Sequence, residues 1–233
     1  MRLQVFLSHN GVCSRRKAFA LVQSGFVSVN GNIVDEPSFD VDSQKDMVRV
    51  GGKLIKPKDY EYVLLNKPKG YVTTKEDKFA EKTVYDLLPS KFGHLSPVGR
   101  LDKNTEGLLL LTNDGNFSQR LTHPKFNVKK NYFVRINGIL SEEEKKALET
   151  GVMIDGKKTS PAEIKNIKTQ KDTAEFCITI HEGRNRQIRK MCEAIGKKVI
   201  YLKRVSEGVL KLGALPSSKF RSLSREEIQK LLA

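Results

Sequence analysis

The chain has 233 residues, 38% hydrophobic and 30% charged, a globular composition with room for one large or two modest domains. Its 42 Lys and Arg against 27 Asp and Glu leave a formal charge of +15, which points to a polyanionic partner because each neutralised phosphate releases condensed counterions. No apolar run is long enough to cross a bilayer and no hydrophobic leader follows Met1, so a cytoplasmic protein with no membrane role is expected. Cys13, Cys177 and Cys192 are far apart with no C-x-x-C pair, and the four histidines lack ligand spacing. Neither disulfides nor a metal site is expected.

Leu3, Phe6 and Leu7 repeat at helical spacing and Gly11 closes the pattern, predicting a short first helix. Ser14 is the expected N-cap of a second helix that carries Arg15, Arg16 and Lys17, then Phe19, Leu21 and Val22, with Gly25 beyond its end. Three cations in a first turn oppose the helix dipole, so they serve something other than helix stability. Residues 26–34 are two β-rich runs joined by Asn30-Gly31, the strongest short hairpin signal. Residues 47–50 make another strand. The basic, Pro-containing stretch 53–59 reads as a linker, giving units of 1–58 and 59–233, both with an excess of Lys and Arg.

The second unit opens with residues 62–74, expected as strand, turn and strand, with Lys67 and Lys69 in the turn available to phosphates. A short helix or turn at 83–88 and the segment 94–98 lead into P-V-G-R-L-D-K-N-T-E-G-L-L-L-L-T-N-D-G at 97–115. Leu108 to Leu111 is a continuous apolar run suited to a strand buried on both faces. Asn113-Asp114-Gly115 carries turn chemistry, with Gly115 expected at positive φ. Gly99 to Asp102 is a loop entering the buried strand. It sets Asp102 and Arg100 two residues apart on a well-anchored segment, although an isolated Asp there would ordinarily cap a turn.

A helix is expected at 117–121 and a strand at 131–136. Ser141 with Glu144 forms a capping box for a helix that Gly151 ends. Strands follow at 164–167 and 174–180. In E-G-R-N-R-Q-I-R-K-M-C-E-A-I-G, Ile188, Met191, Cys192 and Ile195 share one helical face and Gly196 stops the helix, with Cys192 a small buried apolar group. Strands at 199–205 and 209–212 precede a last helix capped by Ser224 and Glu227. This succession predicts an α+β fold with a mixed, largely antiparallel sheet.

G-R-L-D followed by N-T-x-G-L-L-L-L-T-x-D-G resembles the catalytic motif of the pseudouridine synthases, in the branch that modifies ribosomal RNA and carries an N-terminal S4 domain. The two short helices and hairpin, with S-R-R-K opening the second helix, resemble that S4 RNA-binding domain, and N-K-P-x-G at 66–70 resembles the start of the catalytic core. The resemblance spans nearly the whole chain and implies an S4 domain over 1–58 and a pseudouridine synthase domain over 59–233. It implies Asp102 as the catalytic carboxylate, Tyr132 of K-x-Y against the target base, Arg189 of R-Q-I-R paired with Asp102, and Leu202 of Y-L-K-R beside it. Arg15, Arg16, Lys17 and Lys67 would face RNA. Arg100, Arg184 and Arg186 would contact the substrate, Arg100 filling the space left by a flipped nucleotide or gripping phosphates. The implied partner is ribosomal RNA, free or in a pre-ribosomal particle, and the implied state a monomer.

The chemistry suits these residue types. Isomerising uridine means breaking the N1–C1′ bond, turning the uracil while it is held, and rejoining it through C5. An ionised carboxylate serves as nucleophile at C1′ or C6, or as base and stabiliser of an electron-deficient sugar; these routes stay open. A tyrosine face can hold the detached base, and the nucleotide must first leave its stack. No metal or redox cofactor is required. The alternative class is a non-catalytic S4-type ribosomal RNA-binding or assembly factor, which has no use for Asp102 against a phosphate backbone. A nuclease would need several acidic metal ligands in one place. The family divides between small- and large-subunit RNA, and G-R-N-R-Q-I-R-K-M-C lies nearer the large-subunit branch.

Overall fold

The computed structural model describes residues 1–75 and 81–232. Helices α1 (Leu3–His9) and α2 (Arg15–Gln23) turn Leu3, Phe6, Leu7, Ala18 and Val22 inward, and the Ser14 hydroxyl accepts the Lys17 amide at 3.4 Å. β1 (Val27–Val29) and β2 (Asn32–Ile33) join through Asn30 at φ 53° and Gly31 at φ 89°, the two positive values that a tight hairpin of this twist requires. β3 (Val48–Val50) pairs with β1 and with β4 (Lys53–Leu54), completing a four-stranded sheet in the order β2-β1-β3-β4. Lys53 and Leu54 therefore belong to the sheet, and the connection begins after them rather than at Lys53.

The larger sheet starts with β5 (Tyr62–Lys67), β6 (Ser96–Val98) and β7 (Glu106–Thr112), then α3 (Gly115–Thr122) and β8 (Lys130–Asn137). α4 (Glu142–Thr150), a small hairpin of β9 (Met153–Ile154) and β10 (Lys157–Lys158), β11 (Glu163–Gln170), β12 (Thr173–Ile180) and α5 (Gln187–Ala194) follow. β13 (Val199–Glu207), β14 (Leu210–Lys211), β15 (Phe220–Ser222) and α6 (Arg225–Leu232) finish the chain. The order is β11-β12-β8-β13-β7-β5-β15, with β6 on β7 and β14 on β13. Only the β13–β7 pair among these is parallel, so the sheet is mixed and largely antiparallel, as expected.

Both faces of β7 are covered, which is why its apolar run does not alternate. Leu109 and Leu111 enter a core with Val63, Leu65, Val134 and Met191, while Leu108 and Leu110 meet Phe117, Leu121 and Leu64 on the other side. The parallel contact with β13 depends on Gly107: its φ is +103°, and a Cβ there would lie 2.2 Å from the Arg204 carbonyl oxygen.

Two further expectations are corrected. Gly115 does not take positive φ; it opens α3, which Asp114 caps by accepting the amides of Asn116 and Phe117 at 2.9 and 3.0 Å. Residues 71–74 form no strand beyond a single bridge from Val72 to Thr83. The β9–β10 hairpin and the edge strand β15 carry too few apolar residues to announce themselves in the sequence. The Ser141–Glu144 and Ser224–Glu227 capping pairs form as read.

The small sheet domain docks on the turn after β7. His9 donates from Nε2 to the Lys58 carbonyl at 2.8 Å, and its ring lies 3.2 Å from the Asn113 carbonyl. The Asn113 side chain in turn holds the Glu61 amide and the Asp59 carbonyl.

Candidate active site

A cleft of about 680 Å³ opens between the 99–103 loop, β8, β13 and the segment leading into α5. Its size suits a nucleotide. Asp102 lies in its wall, half-buried, on the loop that feeds β7. The loop is held through its carbonyls. Thr73 Oγ1 donates to Leu101 O at 2.8 Å, the Thr105 amide to Asp102 O at 3.0 Å, and the Gly70 amide to Lys103 O at 2.8 Å. Arg189 Nη2 reaches Asn104 O at 2.7 Å, and Lys67 Nζ reaches Thr105 O at 2.8 Å. Every carbonyl from 101 to 105 is therefore engaged, and the carboxylate of Asp102 is presented by a backbone with little freedom.

Lys67 is not the surface phosphate contact expected of it. It is fully buried, and its ammonium donates to Pro68 O and Asp102 O, each at 3.1 Å, as well as to Thr105 O. Burial lowers its pKa from 10.5 to about 8, partly opposed by the charges of Asp102 and Glu106. Its neighbour Lys69 remains exposed.

Arg189 is also corrected. Carried on α5 and buried, it makes no ion pair with Asp102; its guanidinium goes to the carbonyls of Asn104 and, at 3.4 Å, Val199. Burial lowers its pKa first, the charge of Arg186 adds to this, and the Asp102 charge opposes both. The two groups thus feel each other without touching. Arg184 also lines the cleft; its guanidinium donates to the Lys157 and Lys158 carbonyls and sits 3.3 Å from Glu182, tying the β9–β10 hairpin to the cleft wall. Arg186, the αL residue before α5, and Arg100 are exposed at the cleft, and among the described residues neither guanidinium makes a hydrogen bond or ion pair.

The floor comes from paired strands. β8 and β13 set Tyr132 opposite Arg204 and Lys130 opposite Glu207, and Leu202 lies buried one step along. Tyr132 lines the cleft beside the Arg204 guanidinium, and burial raises its pKa. Arg204 Nε donates to Leu108 O at 2.7 Å, and its Nη2 lies 3.3 Å from a Glu207 carboxylate oxygen. That contact is an ion pair without hydrogen-bond geometry, since both oxygens of the fully buried Glu207 lack a donor. Burial lowers the pKa of Lys130, with Glu207 opposing it. Lys130, Arg204 and Glu207 were not singled out from the sequence. The signal was present: strand alternation puts Lys130 on the face of Tyr132 and Arg204 on the face of Leu202.

Arg15, Arg16 and Lys17 lie exposed at the start of α2, outside the cleft. Arg15 nonetheless approaches the second unit, with Nη2 3.3 Å from where a Cβ on Gly115 would stand.

The cleft thus combines a fixed carboxylate, an aromatic and an aliphatic wall, and exposed guanidinium groups at its rim. Residues 61–194 match the RNA pseudouridylate synthase family and residues 1–48 match the S4 domain. The chain is 41% identical along its whole length to ribosomal large subunit pseudouridine synthase B of Bacillus subtilis, covering 96% of that protein. It is 37% identical to an uncharacterized RNA pseudouridine synthase of Aquifex aeolicus, across 99% of the chain and 93% of the relative. A crystal structure of a pseudouridylate synthase superimposes with a TM-score of 0.71 at 32% identity, over 99% of both chains. The chain belongs to the RNA pseudouridylate synthase family, an isomerase with an S4 domain at its N-terminus.

Proposed function

We propose that this enzyme converts uridine to pseudouridine in large-subunit ribosomal RNA, with Asp102 as the catalytic carboxylate. The observation that carries the assignment of Asp102 is the loop from Leu101 to Thr105, whose successive carbonyls are all held while its one carboxylate faces the cleft. Such placement is what a reaction at a sugar carbon needs, because the attacking or stabilising group must already be in position. The large-subunit assignment rests on the name of the Bacillus subtilis relative.

The target nucleotide leaves its stack and enters the cleft. As the N1–C1′ bond breaks, N1 departs with the electron pair and the sugar becomes electron-deficient. Asp102 meets that deficiency as nucleophile or as stabilising anion. Tyr132 and Leu202 confine the detached uracil while it turns. C5 then bonds to C1′, its proton is lost and N1 gains one, so atoms balance with no co-substrate. Arg189 acts on the loop through Asn104 and on Asp102 through its charge. Arg100 and Arg186 grip phosphates at the rim, and Arg15, Arg16 and Lys17 grip RNA farther out.

In this reading residues 1–58 are the binding unit and 59–233 the catalytic one. The enzyme works as a monomer in the cytoplasm, on free ribosomal RNA or on assembling subunits. The test is Asp102→Asn with pseudouridine mapped across ribosomal RNA lacking the modification. Formation should stop while RNA affinity stays close to wild type. Residual turnover within about tenfold, only ~1.4 kcal/mol of barrier, refutes Asp102 as the catalytic group.

A further inference from the structure

Between α3 and β8 the chain makes a tight 3-10 turn, Pro124–Phe126, at the lip of the cleft. The turn is firmly built. The Phe126 amide donates to His123 O at 3.1 Å, the Asn127 amide to Pro124 O at 3.0 Å, and the Lys125 amide to His123 Nδ1 at 3.2 Å. Asn127 closes it in the left-handed region at φ 48°. Thr122 and Pro124 line the cleft, and Thr122 also packs near the Gly99 turn that carries Arg100.

This rigid turn holds an aromatic ring outward. Phe126 is 39% exposed, with Lys125 Nζ 4.7 Å from the ring centroid and the Arg120 guanidinium carbon 5.7 Å from it. The His123 ring stands edge-on at 6.3 Å. An exposed ring alone calls for no explanation. One fixed on a rigid turn, ringed by cations and next to a cleft for a flipped nucleotide, has the make-up of a single-strand binding surface: an aromatic face for a base, with charge for its phosphates.

We propose that Phe126 is a stacking platform for an unpaired base flanking the target uridine, with Lys125 and Arg120 taking the adjoining phosphates. This rests on the cleft being the uridine site. A base can displace Lys125 from the ring at net gain. An exposed cation–ring contact is worth only a few-fold in affinity, whereas base–aromatic stacking is worth about 5- to 100-fold. The displaced ammonium then moves to a phosphate instead of being lost to the complex. Because every base has a flat face, the platform orders the strand beside the target without reading its sequence.

The experiment uses the full chain and single-stranded RNA 12-mers with one central uridine and a 2-aminopurine on its 5′ or 3′ side. Wild type should quench the fluorophore on one side. Phe126→Ala should abolish that quench and weaken binding about 5- to 100-fold, with the salt dependence unchanged. Phe126→Trp should restore affinity to within about threefold of wild type, as stacking on any aromatic requires. Equal loss in the Ala and Trp variants would mean the turn has simply failed, and overturns the platform. Quench and affinity unmoved by either variant would also overturn it, leaving the face to a protein partner. Pseudouridine formation on ribosomal RNA is measured in parallel. Conversion by wild type with unaltered binding by Phe126→Ala refutes the platform alone, whereas no conversion by wild type refutes the assigned reaction.

Discussion

Replacing Lys67 by Met keeps most of the buried volume and removes the ammonium that holds the Asp102 loop. The carbonyls of Pro68 and Thr105 lose this donor, while Asp102 O keeps the Thr105 amide. An unsatisfied buried acceptor costs ~1–3 kcal/mol, so two amount to about 2–6. Against this, the substitution removes a buried charge. The fall in pKa from 10.5 to about 8 corresponds to ~3 kcal/mol of strain that disappears with it. The net loss should be about 1 kcal/mol, read as a lower urea midpoint with unchanged m-value. The rate should suffer more than the fold, since a loop displaced by about 1 Å costs roughly 10²-fold. RNA affinity and its salt slope should not move. The sign with pH follows from the same burial: the folded protein binds this proton less tightly than the unfolded chain. Wild-type stability relative to Lys67→Met should therefore rise between pH 8 and 10.5 and be flat below that window. Urea melts across this range beside single-turnover rates make the comparison. A variant with wild-type stability and rate but a salt slope lowered by about 0.7–0.9 would show that Lys67 meets a phosphate after all, and the clamp would be refuted.

Gly107→Ala places a methyl 2.2 Å from the Arg204 carbonyl at φ +103°, so β13 must move away from β7. A loss of at least ~2 kcal/mol is expected in urea melts, and a change under about 0.5 would refute the close approach. Changing Arg15, Arg16 and Lys17 together to Gln should raise KM and flatten the salt dependence by about 0.7–0.9 for each lost phosphate contact, with kcat kept. A fall in kcat at saturating RNA would mean instead that the small domain orients the substrate in the cleft.

Where the sequence failed, it failed over the fate of charged side chains. Lys67 and Lys69 flank Pro68, and nothing local says which ammonium is buried. That is decided when the loop at 101–105, more than thirty residues away, brings its carbonyls around one of them. Arg189 lies near Asp102 but bonds the Asn104 carbonyl, because whether a guanidinium meets a carboxylate or the carbonyl two residues on depends on how α5 packs. Arg184 lines the cleft, yet its guanidinium is held by a hairpin too polar to be foreseen. Lys130, Arg204 and Glu207 became a group only when β8 and β13 paired in register.

What the sequence by itself determined was local. The caps at Ser14, Ser141 and Ser224, the Asn30-Gly31 turn and the doubly buried run Leu108 to Leu111 all depend on neighbours within a few residues, and each formed as read. The family was legible for a related reason: its motif is a contiguous segment, with turn, carboxylate and buried strand adjacent in the chain. The tertiary structure alone decided which strands lie side by side, above all the parallel approach of β7 to β13. It thereby decided which cations stabilise the Asp102 loop and which stay exposed. Burying a charge is costly unless donors and acceptors converge on it, and convergence from distant segments is a property of the folded chain.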